Sequence, residues 1–215
     1  MAKTNPEWLR YVELMEQRPE LFVNNGLINI ELDEAKVTEF EERTGKRAGV
    51  LYESPYSRMV VDLVSGSSGD YFLYERIIPH SSKNGVVILP IHNGKVVLLN
   101  QYRHSLRGYQ LSIPRGYGED GMETSSNAAK EIEEELGAVA TNIEFLGTIN
   151  SNSGISGGIA DVYMCDIDRF TQKHGYEGID SVIELSEDEL RSYISSGKIN
   201  DGFTLSALCY YWTRG

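Results

Sequence analysis

Three glutamates on one predicted helix are the residues of this chain whose types and spacing could do chemistry. Glu131, Glu134 and Glu135 are spaced i, i+3, i+4, so their carboxylates share one face of a helix. Clustered carboxylates repel one another unless a cation lies among them, and oxygen ligands are what hard divalent cations prefer. A solvated acidic surface is the commonest explanation of a Glu-rich helix. The functional interpretation is a Mg²⁺ site, with Mn²⁺ as the alternative ion.

The helix that carries these glutamates has signals for packing and for both of its ends. Thr124 is a good N-cap residue, and Gly137 is a good residue to follow the last turn. A neighbouring face is apolar and can pack against the body of the protein; it consists of Ala128, Ala129, Ile132 and Leu136.

A glycine-bearing loop leads directly into the helix and favours the metal site over the acidic surface. It runs through Pro114-Arg115-Gly116, Gly118 and Gly121, and glycines let a ligand approach the backbone closely. The stretch from Gly116 to Ala138 resembles the Nudix box, G-x5-E-x7-R-E-U-x-E-E-x-G-U, where U is a bulky aliphatic residue. The match is long and specifically spaced, so the chain is identified as resembling a Nudix hydrolase.

The resemblance implies roles for the matching residues. Glu131, Glu134 and Glu135 match the metal ligands of the family, and Glu134 and Glu135 are the expected catalytic glutamates among them. Gly116 opens the box and is expected to contact substrate. The implied reaction is attack of water on a phosphoanhydride, assisted by the bound metal.

Two positions depart from the box. Met122 stands at its first Glu and Lys130 at its Arg, the two positions that relatives use mainly as a structural ion pair between loop and helix. We expect Lys130 to keep the positive charge, Met122 to cover its aliphatic stem, and Glu123 to supply the missing carboxylate. Lys does not reproduce the bidentate geometry of Arg, so the loop is expected to differ from that of relatives.

Cations cluster ahead of the box. Gln101-Tyr102-Arg103 is followed by Arg107 and Arg115, and the first run resembles the branch that hydrolyses ADP-ribose and nucleoside diphosphate sugars. We expect these three arginines to bind substrate phosphates, because guanidinium groups suit phosphate oxygens. Pairing with surface carboxylates is the structural alternative. In that branch an N-terminal β segment pairs with a second subunit, so the resemblance implies a homodimer.

Two loops after the box bear on substrate and mechanism. Relatives that act on ADP-ribose usually show a Ser-Pro-Gly-like turn where this chain has Ser153-Gly154 without proline, which weakens ADP-ribose as the specific substrate. In the loop from Lys173 to Ser181, Glu177 stands near a carboxylate that in relatives contacts the metal or the attacking water. A solvent-facing loop residue is the alternative for Glu177.

Composition and charge narrow the class of protein. The 215 residues are 40% hydrophobic, and the net charge of −12 argues against nucleic acid as a partner, because phosphate backbones need clustered Lys and Arg. No apolar run is long enough to cross a bilayer, and the first residues carry charges where a signal peptide is apolar. We therefore expect a cytoplasmic protein without membrane contact. Cys165 and Cys209 lack the spacing of a zinc site or a disulfide framework.

The fold class expected from the resemblance is α/β, a Nudix fold with a mixed β-sheet sandwiched between α-helices. An N-terminal helical and antiparallel β segment, residues 1–83, precedes a Nudix domain, residues 84–215. Two capped helices are predicted to start at Asn5-Pro6 and at Asp33. Two hairpins follow, the first formed by Arg58–Val64 and Tyr71–Ile78, and the second by Val86–Ile91 and Lys95–Tyr102 around the Asn93-Gly94 turn, with Pro79–Asn84 as the linker between the hairpins. Ser186 and Glu189 form a predicted capping box, and a final helix is predicted over Thr204–Trp212.

Two functions follow from these observations. The first is a Mg²⁺-dependent hydrolase that cleaves ADP-ribose or a related nucleoside diphosphate sugar into a nucleoside monophosphate and a sugar phosphate. The alternative is a catalytically weak or silent Nudix module that binds a nucleotide for regulation, because degenerate boxes are typical of such modules. Retention of all three metal-site glutamates favours the enzyme.

Overall fold

The computed structural model describes residues 5–171 and 176–214. The chain forms two compact units. The first contains the described residues up to His80 together with Asn152–Gly157, and the second contains Ser81–Ser151 and the described residues from Gly158 onward. None of the described helices is both long and apolar enough to span a membrane.

The first unit is a small antiparallel sheet with two helices. Its central strand β3 pairs with β1, β2 and β4. The elements are α1 (Pro6–Gln17), a 3₁₀ turn (Pro19–Phe22), β1 (Asn29–Ile30), α2 (Glu34–Thr44), β2 (Gly49–Glu53), β3 (Ser57–Ser65) and β4 (Tyr71–Pro79). The predicted hairpin formed by β3 and β4 is confirmed. Residues Asn152–Gly157 belong to this unit because they bond to β4, with Ile155 O accepting from Ile77 N at 2.7 Å.

Both predicted helix starts in this unit are confirmed. The Asn5 side chain accepts from Glu7 N at 3.0 Å ahead of α1, and the Asp33 side chain accepts from Ala35 N at 2.9 Å ahead of α2. Side-chain acceptors at these positions satisfy N–H groups that have no partner within the helix. Trp8, Tyr11 and Leu14 are the buried residues of α1, and Val12 and Met15 lie partly buried at the margin of the same core.

A buried polar network ties α1 to the sheet. Asp62 on β3 is 1% exposed and accepts from the Tyr11 hydroxyl at 2.5 Å. Arg76 on β4 donates to both Asp62 oxygens, at 2.5 and 2.9 Å, and to the backbone oxygen of Leu21 at 2.9 Å. Burial and the adjacent Asp62 charge raise the pKa of Tyr11, so its hydroxyl stays a donor.

The second unit is built on one mixed sheet. Its strand order is β11-β6-β5-β10-β9, with β7 on β6 and β8 on β5. Strands β5 and β10 are parallel, and the other pairs are antiparallel. The elements are β5 (Gly85–His92), β6 (Lys95–Arg103), β7 (Gly108–Ser112), β8 (Arg115–Gly116), α3 (Thr124–Leu136), β9 (Ala140–Asn150), β10 (Ile159–Ile167), a 3₁₀ turn (Tyr176–Gly178), β11 (Ile179–Leu185), α4 (Glu187–Ser195) and α5 (Gly202–Thr213).

The sheet of this unit carries a separate apolar core on each face. Side chains alternate along β5, so Val86 and Ile88 pack with α3, whereas Val87 and Leu89 pack with α4 and α5. Both faces of the central strands are therefore buried, which is why these strands read as continuous apolar runs. The mixed sheet sandwiched between helices agrees with the predicted fold class.

Several local predictions for this unit are confirmed. Asn93 and Gly94 take positive φ values of 50° and 78° in the two-residue turn between β5 and β6. The capping box of Ser186 and Glu189 forms, and the final helix α5 is present. Helix α3 begins one residue earlier than predicted. Glu123 precedes the first helical residue, Thr124, whose hydroxyl instead donates to Asp161 at 2.8 Å.

The Asp62 network predicts a large loss of stability when its cation is removed. In Arg76→Met, the buried Asp62 carboxylate keeps only the Tyr11 hydroxyl, and we expect the free energy of unfolding to fall by about 3–5 kcal/mol. The control is Lys36→Met, which removes an exposed partner of Glu31 and should cost less than about 1 kcal/mol. Denaturant unfolding followed by circular dichroism measures both; equal losses would contradict the importance of this network.

Candidate active site

Helix α3 presents its three glutamates in different environments. Glu135 is 2% exposed, whereas Glu131 and Glu134 are only partly buried. Glu135 is therefore buried on the side of α3 that also buries Ile132 and Leu136. Its Oε2 accepts from the backbone N–H of Arg115 at 3.3 Å, so β8 holds this carboxylate directly.

The Glu131 side chain lies in the space that a side chain at position 116 would occupy. A Cβ atom at position 116 would lie 2.0 Å from Oε1 of Glu131, which is far inside contact distance. The glycine at the start of the predicted box thus lets a carboxylate lie against the backbone of β8. Strand β8 is itself held in place by pairing with β5, Gly116 opposite Val86.

Burial and mutual repulsion change the acidity of two of these glutamates. Burial, followed by the charge of Glu134, raises the pKa of Glu131 to about 7. Burial, followed by the charges of Glu131 and Glu177, raises the pKa of Glu135 to about 8. The carboxylates therefore resist being charged together unless a cation compensates them.

The carboxylate oxygens of α3 suit a hard divalent cation by their chemistry, but they are not arranged around one point. Three carboxylates against a glycine backbone offer only oxygen ligands, which is the chemistry that Mg²⁺ prefers. Within residues 5–171 and 176–214, no three His, Cys, Asp or Glu side chains lie close enough together to hold a metal as they stand. Glu134 lies 3.6 Å from Nζ of Lys130, so its carboxylate is partly compensated by that cation.

Lys130 forms the loop-to-helix ion pair, but with a different partner from the one predicted. Its Nζ donates to Oε1 of Glu119 at 2.5 Å, and this bond raises the pKa of Lys130. Glu123 pairs with Lys83 at 3.4 Å instead. The expected role of Glu123 is therefore wrong. The replacement carboxylate lies three residues before Met122, at Glu119, because the loop folds back over the helix.

Contacts absent from the sequence reasoning hold the loop between Gly116 and α3. A Cβ at Gly118 would lie 2.1 Å from Lys83 O, so the loop packs directly on the segment before β5. Oδ1 of Asp120 accepts from both Ser81 and Ser82, at 2.8 to 3.1 Å. The serines of the predicted linker were a usable signal, because Ser side chains commonly fasten turns.

Arg103 and Arg115 are the predicted cations that the structure places near the glutamates. Arg103 is partly buried, donates to Ser112 Oγ at 2.9 Å, and has a buried Nε that meets no acceptor in the described part of the chain. Burial and the charge of Arg115 lower the pKa of Arg103, while Glu135, Glu177 and Asp201 oppose that shift.

Arg115 already has a carboxylate partner. Its Nη1 lies 3.1 Å from Oδ1 of Asp201, and its guanidinium lies over the ring of Phe203 at 5.0 Å. Asp201 is 5% exposed and also caps α5 by accepting from Thr204 N at 2.9 Å. Sequence reasoning missed Asp201, because its only local signal was that of an ordinary helix cap.

The other two predicted site residues lie in turns. Arg107 is exposed between β6 and β7, where it donates to Nδ1 of His104 at 2.9 Å and lies over the Tyr102 ring at 6.0 Å. Glu177 lies just before β11, and its charge contributes to the raised pKa of Glu131 and of Glu135. Residues 173–175 of the predicted loop lie outside the described residues.

The chain is similar in sequence to several known proteins. The chain is 29% identical over 176 residues to "Methanol dehydrogenase activator" of Bacillus methanolicus, covering 80% of this chain and 92% of the relative. It is 30% identical over 80 residues to "ADP compounds hydrolase NudE" of Escherichia coli (strain K12), covering 37% and 42%, and 24% identical over 127 residues to "ADP-ribose pyrophosphatase" of Bacillus subtilis (strain 168), covering 58% and 69%. No family model matches the chain.

The fold has a clear counterpart among solved structures. A crystal structure of "ADP compounds hydrolase" superposes with a TM-score of 0.66 at 18% identity, covering 77% of this chain and 90% of that one. At that identity the superposition shows the fold alone. In its box and in its sequence relatives, the chain resembles the ADP-ribose pyrophosphatase-like branch of the Nudix hydrolases.

Proposed function

We propose that this protein hydrolyses the phosphoanhydride of ADP-ribose or a related nucleoside diphosphate sugar, with Mg²⁺ as cofactor. The products are a nucleoside monophosphate and a sugar phosphate. The observation that carries the proposal is the approach of Glu131 to Gly116, next to buried Glu135 and the cations of Arg103 and Arg115. The names of two sequence relatives and of the solved structure support the substrate class.

Glu131, Glu134 and Glu135 would hold the cation. Mg²⁺ or Mn²⁺ bound there would neutralise phosphate charge and lower the pKa of a coordinated water. The raised pKa values of Glu131 and Glu135 support this assignment, because a bound cation would offset the burial and the mutual repulsion that raise them. The Arg115 N–H keeps Glu135 in place, and Gly116 keeps the backbone close to Glu131.

Arg103 is the proposed phosphate-binding cation. Its buried Nε has no protein acceptor among the described residues, so a phosphate oxygen would satisfy a donor that is otherwise costly to bury. Arg115 adds positive charge nearby while Asp201 holds it in place. Gly116 lines the same region. Arg107 is assigned to the outer part of the substrate, since its contacts lie in the exposed turn.

Glu177 is the proposed base for the attacking water. Water would add to phosphorus through its oxygen, the bond from phosphorus to the bridging oxygen would break, and the proton of the water would pass to the Glu177 carboxylate. The bridging oxygen leaves on the other phosphate. The electrostatic effect of Glu177 on Glu131 and Glu135 supports a carboxylate in that region.

A nucleotide-binding regulator is the second candidate function. It is favoured by the similarity to "Methanol dehydrogenase activator", which extends over 92% of that relative. Met122 and Lys130 add a mild degeneracy of the box. Against it, Glu131, Glu134 and Glu135 are all retained, and a silent module has no need of them.

The cytoplasmic location expected from the sequence stays a prediction.

The proposed reaction predicts products and a sharp dependence on Glu135. Wild-type protein with ADP-ribose and Mg²⁺ should release AMP and ribose 5-phosphate, measured by chromatography beside nucleotide sugars and nucleoside triphosphates. Glu135→Gln should lower kcat at least about a hundredfold, because loss of a ligand exceeds the usual cost of losing an outer-sphere partner. Exposed Glu133→Gln on the same helix is the control. Near-normal turnover in a Glu134→Gln, Glu135→Gln double variant would rule out the metal site.

The raised carboxyl pKa values predict opposite effects of pH on stability and on metal binding. A carboxyl whose folded pKa of about 8 lies above its ordinary value of 4.5 binds more protons when folded, so metal-free stability falls as pH rises between those values. Mg²⁺ competes with the same protons, so its affinity should rise as pH passes 7 and 8. Calorimetric titration in buffers of different ionisation enthalpy measures affinity and proton release together. Affinity independent of pH would contradict these shifts.

We propose a homodimer through the strand-rich segment between Val50 and Ile78. The apolar face of this segment is covered by α1 and α2 of the same chain. The support for the dimer is the outer edge of β4 ahead of Ile77, where Phe72 is 41% exposed and β3 lies on the other side. At Ile77 that edge is already bonded to residues 155–157. An exposed strand edge is a template for pairing with another chain.

Light scattering tests the dimer directly. At micromolar concentration the wild type should show twice the 24.1 kDa chain mass, and Phe72→Glu should shift it toward the monomer. Val139→Glu, at a 76% exposed position in the second unit, is the control and should leave the mass unchanged. A monomeric wild type would defeat the proposal.

A further inference from the structure

Gln101 is a buried polar residue whose side chain contacts the Glu177 turn. It lies on β6, is 3% exposed, and its Nε2 lies 2.9 Å from the backbone oxygen of Glu177. A carbonyl oxygen only accepts, so the contact orients the amide with its NH₂ group toward Glu177. The other amide atom, Oε1, is buried and has no partner within the described residues. Burying the amide with its oxygen unpaired costs folding free energy, so the position is not explained by stability alone.

The turn that Gln101 contacts has an unusual backbone. Glu177 has φ 45° and ψ 28°, a left-handed conformation that is costly for a residue with a Cβ, and Gly178 follows with φ 80°. A Cβ at Gly178 would lie 3.1 Å from Tyr102 O, so the turn packs closely against β6. Two successive left-handed residues make a sharp corner, which surrounding contacts must maintain.

Gln101 holds this corner in two ways. Its backbone is paired with Ile179, the first residue of β11, and the regular register is interrupted between Ile179 and Ser181. Its side chain bonds the carbonyl of Glu177, two residues earlier. One residue of β6 therefore anchors both ends of the corner. The corner in turn sets the direction of the Glu177 carboxylate, which lies close enough to the α3 glutamates to affect them electrostatically.

We propose that Gln101 is a positioning residue that keeps the Glu177 carboxylate directed at the glutamates of α3. This inference rests on the proposed function, because it assigns Glu177 to the reaction. Within the described residues, the side chain of Gln101 hydrogen-bonds only the backbone of Glu177. Its effect on turnover should therefore pass entirely through that residue.

Substitutions at Gln101 separate the donor from the bulk of the side chain. Gln101→Met keeps the length and removes the donor, so kcat should fall about tenfold with KM unchanged within about twofold. Gln101→Glu should lose at least as much, because a carboxylate cannot donate to the Glu177 carbonyl. The control is Gln110→Met. Gln110 is the cross-strand partner of Gln101, but its amide bonds the side chain of Asn200 at 2.9 Å, and its substitution should leave kcat unchanged.

A double-variant cycle distinguishes positioning from a general loss of structure. In a Glu177→Gln background, where the carboxylate is already gone, Gln101→Met should cause no further fall in kcat. Full additivity of the two losses would overturn the inference. So would a Gln101→Met variant with wild-type kcat.

A second readout does not depend on activity. Hydrogen exchange of the backbone amides from Gly178 to Ser181 in the metal-free protein should be about tenfold faster in Gln101→Met than in the wild type or Gln110→Met, corresponding to roughly one lost hydrogen bond. If the wild type hydrolyses no ADP compound, the proposed function fails. The hydrogen-exchange comparison then tests by itself whether Gln101 holds the Glu177 turn. Unchanged exchange would refute the role of Gln101 whatever the activity.

Discussion

The constraint on which the second unit depends is the placement of carboxylates where water is scarce. Glu135 is nearly inaccessible, and Glu131 lies against the backbone of β8. Burying such groups is costly unless they are paired, hydrogen-bonded or protonated. The raised pKa of both residues shows this cost, and the Arg115 N–H and the absence of a side chain at Gly116 are what accommodate them.

Ion pairs and hydrogen bonds from the surrounding elements hold the loop and the arginines around these carboxylates. The ion pair of Lys130 with Glu119 and the three bonds that Asp120 accepts hold the loop over the start of α3. Arg103 and Arg115 add positive charge, and Asp201 limits the freedom of Arg115 while it caps α5. The departure from the box at Met122 and Lys130 is thus compensated by a different carboxylate. An ion pair of the same kind can be built from several positions in a flexible loop.

The predictions from sequence succeeded mostly where the signal was local, although the start of α3 lies one residue earlier than predicted. Helical spacing placed the three glutamates on one helix, turn chemistry at Asn93-Gly94 located a hairpin, and Asn5, Asp33 and Ser186 marked helix starts. They failed where a partner had to be chosen across the chain. The carboxylate for Lys130 and the buried side of Glu135 both depend on how the loop and β8 fold against α3.

The sequence by itself determined the resemblance to Nudix hydrolases, the fold class that follows from it and the acidic helix, because a motif of fixed spacing is a local pattern. Only the tertiary structure decided which residues meet. Asp201 reaches Arg115 across 86 positions of the chain, and Gln101 reaches Glu177 across 76. Asp201 has only the local pattern of a helix cap, and the Gln101-Tyr102-Arg103 run does not reveal which residue Gln101 contacts. Their roles arise because strand pairing and helix packing bring distant segments together, and such pairings follow from the register of the whole sheet.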